Sequence, residues 1–216
     1  MMISNAYICF KNSIRIFQHD ESGTTLVEFA VVLSIFLFLF FGLIDFGRLG
    51  FHYVTAEKAM NIAARVAAVR PPVCPGVPLF HARGSVGGIK PDFGTSCRAG
   101  ANICLNVGTV TCSGVATSNT ANEIWALIAG GLPNDAAINN LKFSYTYDPN
   151  LGFLGGPYVP VVTVELQNLD FKFVSPLGAL AGLAGATVNP NLGANIPFPP
   201  MSVSLPAEDL ALGEDG

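Results

Sequence analysis

The sequence predicts an α+β protein: one long N-terminal helix, then a small β-rich domain of antiparallel sheet. Three observations carry this. All 15 prolines of the 216-residue chain lie at or after Pro71, with only four of the 23 glycines before it. Residues 29–44 form an apolar run without a single charge. Beyond residue 140, several short segments alternate apolar and polar side chains. Because Pro and Gly punctuate regular structure, the chain divides near residue 70. The predicted pieces are a leader (1–23), a helix (24–70) and a domain (71–216).

The apolar run reads FAVVLSIFLFLFFGLI, and thirteen of its sixteen residues are Phe, Leu, Ile or Val. Each favours membrane insertion by roughly 0.3–0.6 kcal/mol, about 4–8 kcal/mol together. Counted from Leu26, the run is about 28 Å of helix, close to a ~30 Å hydrocarbon core. Glu28 sits at its N-terminal end. An acid costs roughly 2.5–3.5 kcal/mol at a span centre and less near the interface, so insertion still wins. Lys11 and Arg15 precede the span and Arg48 and Lys58 follow it, so basic residues do not set its orientation.

After the span, Phe46, Leu49, Tyr53, Ala56, Met60, Ala63 and Ala67 recur at steps of three and four. This is an apolar helical seam. It suits packing on the protein's own domain or on neighbouring subunits. Pro71-Pro72 stop the helix, which is predicted over 24–69.

In the second half, residues 71–92 read as loop. Cys74, Cys97, Cys104 and Cys112 make an even set, and the fifth cysteine, Cys9, lies in the leader. An even set in a small exported domain predicts two disulfides, with three pairings open. No Cys-x-x-Cys occurs and His81 is the half's one histidine, so no metal site is expected. Thr120 to Glu123 has the pattern of a capping box before a short helix over 121–129, with Trp125 expected in the core. Strands are predicted at 141–147, 162–167, 171–173 and 201–205, with another near 103–115. Residues 177–200 are uncharged and read as loop or as a short helix over 177–183. The acidic tail from Glu208 is expected to fray.

No catalytic constellation, phosphate loop or dinucleotide fingerprint occurs. Glu165, Asp170 and Asp148 fall at solvent-facing positions. Residues 71–216 carry five basic and ten acidic side chains, and the whole chain has net charge −4, which excludes a basic track for nucleic acid. No enzyme activity and no cofactor are expected.

The string Gly23-Thr24-Thr25-Leu26-Val27-Glu28-Phe29, behind a mixed-charge leader, resembles the class III signal of type IV prepilins and pseudopilins. The resemblance implies cleavage between Gly23 and Thr24 by a prepilin peptidase on the cytoplasmic side. It also implies that Glu28, fifth in the mature chain, pairs with the N-terminal amine of a neighbouring subunit. An ordinary secretory signal fits less well, because no small-x-small site closely follows Ile44. Glu28-Phe29-Ala30, Asp45-Phe46-Gly47-Arg48 and Ala63-Ala64-Arg65 further resemble the TadE-like pseudopilins of the tight-adherence (Flp) pilus system. This likeness covers residues 23–70. Thr24 departs from the bulky apolar residue found there in many pilins.

The resemblance implies a pilin-like fold and a minor pseudopilin assembling through its N-terminal helix. Its partners would be the peptidase, other pseudopilins, the pilus assembly platform and inner-membrane lipid. Its topology would be a single pass through a bacterial inner membrane, N-terminus cytoplasmic and domain outside. The other reading of the same architecture is an anchored periplasmic module that binds a ligand or the cell wall.

Overall fold

The computed structural model describes residues 21–85, 87–88, 90–187, 191, 193–208 and 210, without the side chains of 21 and 22. The leader through Asp20, with Cys9, and the tail from 211 lie outside the described residues.

The first element, α1, is one unbroken helix, Glu21–Val69. It begins three residues earlier than predicted and ends where Pro71-Pro72 require. Arg70 N–H donates to the Val66 carbonyl at 3.0 Å, closing the last turn. Polar side chains within α1 bond back to the preceding turn. Ser34 Oγ donates to the Ala30 carbonyl at 2.8 Å and Thr55 Oγ1 to the Phe51 carbonyl at 2.9 Å.

The chain forms two compact units. One comprises the N-terminal stretch through Gly47 together with Lys172–Asn195. The other comprises Arg48–Phe171 and the chain from Ile196 onward.

The second unit is built on a four-stranded antiparallel sheet, ordered β1-β2-β3-β6. Its strands are β1 (Thr109–Ser113), β2 (Leu141–Thr146), β3 (Val161–Leu166) and β6 (Met201–Pro206). Cross-strand rows match the alternation in sequence. Cys112, Phe143, Val164 and Val203 form one row, and Val110, Tyr145, Val162 and Leu205 the next. Phe143, Tyr145, Val162 and Val164 are fully buried. The intervening rows are polar. Thr163 and Ser204 share a hydroxyl hydrogen bond at 2.7 Å, and Lys142 pairs with Glu165 at 3.4 Å. Thus one face supplies the core and the other meets solvent.

Between β1 and β2 lies α2 (Asn119–Ile128), which buries Ala121, Ile124 and Ile128 and leaves Trp125 only half-buried. The expected capping box is displaced. Ser118, not Thr120, is the N-cap, its Oγ accepting from Ala121 N–H at 3.3 Å. Thr120 Oγ1 instead donates to the Pro71 carbonyl at 2.9 Å, and Glu123 pairs with Arg70 at 3.1 Å. Two tertiary partners have taken the groups that would have closed the box.

The strand expected over 171–173 is shorter and shifted. It is β4 (Asp170–Phe171), paired with β5 (Ile196–Pro197). Phe173 leaves the ladder and packs edge-on against Phe46, ring centroids 5.8 Å apart. In the first unit residues 177–183, open in sequence between loop and short helix, form the helix α3 (Leu177–Leu183). Gly185, at φ +85°, ends it, and Ala186 N–H donates back to the Ala181 carbonyl at 3.0 Å.

Candidate functional site

The residues singled out for function lie mostly on α1, which has two zones. In the first, Leu26, Phe29, Phe36, Leu39 and Leu43 are all exposed. None of its most apolar stretch is buried within the chain, and α1 is long and apolar enough to cross a membrane. A core helix of a soluble domain would bury such a stretch. Gly23, Thr24 and Glu28 lie exposed at its start, in helical conformation. Nothing among the described residues pairs with Glu28.

In the second zone Ala56, Ala59, Met60, Ala63, Ala64, Ala67 and Ala68 form a buried stripe at helical spacing. The lower seam therefore serves the protein's own core, and its alanines permit close approach. The Thr55 backbone carbonyl oxygen and the Ala59 methyl lie 3.4 and 3.5 Å from where a side chain at Gly131 would begin. The remaining seam residues do not join this stripe. Phe46 and Tyr53 are exposed and Leu49 is half-buried. Phe51, Val54, Ile62 and Val69 add further exposed apolar side chains along the same zone.

Asp45 marks the end of the first zone. Its carboxylate is 1% exposed, accepting Ser175 N–H at 3.0 Å and Val174 N–H at 3.4 Å. In the sequence Asp45 stands out only as part of the Asp45-Phe46-Gly47-Arg48 pattern. Its contacts lie about 130 residues away, so no local signal could have shown them.

Residues 23–65 match the family model described as TadE-like protein. The match covers the exposed apolar zone and most of the buried alanine stripe, and stops within α1. No curated protein and no solved structure matches the chain. The match to the TadE-like model thus ends before the disulfide-bearing domain begins.

That domain carries two disulfides, Cys74–Cys112 and Cys97–Cys104, with Cα separations of 5.5 and 5.2 Å. The first ties the loop after the TadE-like helix to edge strand β1. The second closes a short loop against Leu154 and Ile103. A ring nitrogen of His81 and the sulfurs of Cys97 and Cys104 lie within 4.8 Å of one another, all three residues buried. Metals bind thiolates, and these sulfurs are bonded to each other, so the oxidised cluster offers no such ligand.

His81 is nonetheless well placed. Its Nε2 accepts Val159 N–H at 3.2 Å, while Nδ1 is buried with no partner among the described residues. Tyr158 packs 5.1 Å away, ring to ring, its own hydroxyl buried and without a partner among the described residues. Burial lowers the His81 pKa and pushes that of Tyr158 up to about 12. Both stay neutral at pH 7. A neutral imidazole, a neutral phenol and a cystine suit a packed cluster. On the helix, His52 is also held below its usual pKa, first by burial and then by Arg48.

Proposed function

We propose that the chain is a non-catalytic, membrane-anchored subunit of tight-adherence pilus assembly, a minor pseudopilin displaying its disulfide-bonded domain outside the inner membrane. The observation carrying this reading is the TadE-like match on a helix whose most apolar stretch the chain does not bury. Lipid would cover that zone before assembly and neighbouring pseudopilin helices afterwards. The lower helix would act as a stalk, its alanine stripe fixed to the domain and its exposed Tyr53, Val54 and Ile62 offered outward.

A prepilin peptidase would cut between Gly23 and Thr24. Since both residues are helical, the first turn of α1 would unwind for cleavage. Helix ends fray readily, so this demand is small. The new Thr24 amine of one subunit and the Glu28 carboxylate of another would then neutralise each other in the low-dielectric bundle, offsetting desolvation that either charge alone would suffer. The domain's size and two disulfides suit a scaffold, initiation or tip role better than that of a repeated filament unit.

The test is Glu28→Ala in cells carrying the complete pilus system. The variant is expected to insert and be processed normally but to lose cross-links to neighbouring subunits and to lose pili. Wild-type piliation and cross-linking by Glu28→Ala would refute the pairing. Normal piliation after deletion of the whole protein would favour the anchored binding module instead.

A further inference from the structure

We infer that the segment Phe173–Leu183 is a second membrane-contacting element, resting on the lipid surface where α1 leaves the bilayer. This rests on the reading of residues 26–44 as a membrane span. The segment belongs to the same compact unit as the span, not to the sheet domain. It is fastened at the first residue after the apolar run. Asp45 accepts two consecutive backbone N–H groups, from Val174 and Ser175, and Phe173 packs against Phe46. A carboxylate buried at this place would be costly without such donors.

The chemistry of the segment matches lipid. From Val174 to Ala207 the chain contains no Asp, Glu, Lys or Arg. Within α3, Leu177 and Ala181 face inward and are buried, while Leu183 is 69% exposed and Val174 is 74% exposed. These outward side chains lie in the same unit as exposed Leu43, Ile44 and Phe46. The apolar surface of the span thus continues onto the segment, and the environment that covers one extends over the other. At seven residues, α3 is only about 10 Å long, too short to cross a bilayer, so it lies at the interface.

The experiment uses the full chain with Cys9→Ser and its four disulfide cysteines oxidised. A single added cysteine is labelled with an environment-sensitive fluorophore at position 36, 183 or 202. The protein is reconstituted into phosphatidylethanolamine/phosphatidylglycerol vesicles with and without nitroxide-labelled acyl chains. Lipid quenching at Leu183→Cys is expected to be several-fold above that at Ser202→Cys and to approach that at Phe36→Cys. Adding Asp45→Ala is expected to bring position 183 down to the Ser202 level while position 36 is unchanged. Quenching at 36 with position 183 no different from 202 would overturn the inference and leave the span intact. A blue shift at 183 that depends on protein concentration but not on quencher lipid would also overturn it, assigning the surface to a second copy. Absence of quenching at position 36 would instead remove the span reading, and this inference with it.

Discussion

Replacing Cys74 and Cys112 together by alanine should destabilise the domain more than replacing Cys97 and Cys104, although the second pair is the more deeply buried. The two bonds close loops of very different length, with sequence separations of 38 and 7. In the chain-entropy description, cross-linking removes about 13 cal/mol/K from the unfolded ensemble for the long loop and about 8 for the short one, or about 3.9 and 2.4 kcal/mol at 25 °C. The long-range bond also joins the exit of α1 to an edge strand, whereas the short one is local. Each double variant, in detergent micelles, would be unfolded with urea and followed by near-ultraviolet circular dichroism. The expected result is a fall in midpoint for both, larger by about 1.5 kcal/mol for the Cys74–Cys112 variant once multiplied by a common m-value. Equal losses, or a larger loss for Cys97–Cys104, would refute the entropic ordering and place most of the stabilisation in packing around His81.

Four further outcomes follow from the same structure. His81 is held neutral by burial, so the unfolded chain binds its proton first as pH falls; stability is complete above about pH 6.5 and declines below it. His81→Gln should flatten that decline in urea titrations between pH 7 and 5. Tyr145→Phe removes the hydroxyl that accepts Val73 N–H at 3.0 Å in a buried setting, and should cost about 1–3 kcal/mol with the fold retained. Ala63→Leu pushes three carbons into a site with no exposed surface and should cost about 1–3 kcal/mol. Ile62→Ala, one residue away and 45% exposed, should change stability by no more than about 0.5 kcal/mol while weakening subunit cross-linking.

Much of this architecture was legible because it rests on local patterns. The Pro-free stretch and Pro71-Pro72 bounded α1, and period-two alternation located β2, β3 and β6 to within a residue or two. The charge-free run identified the zone that the chain leaves exposed. What escaped was long-range. Ser118 and Thr120 are both acceptable N-caps, and only the Pro71 carbonyl, brought in by the fold, decides between them. Phe173 alternates correctly with Phe171, yet Phe46 draws it out of the ladder. The cystine pairing and the two backbone donors to Asp45 join residues far apart in sequence. No periodicity or spacing encodes such choices. The seam residues form one line in sequence, but the structure divides them: Ala56, Met60, Ala63 and Ala67 are buried, whereas Phe46 and Tyr53 are exposed.

Mass spectrometry of the mature N-terminus, on protein isolated from cells that contain the prepilin peptidase, bears on the proposed role without intermediate assumptions. Cleavage between Gly23 and Thr24 predicts a chain beginning at Thr24, and Gly23→Ala should leave the precursor uncut. A native protein that retains Met1 or Met2 in those cells would contradict assembly through a processed N-terminal helix.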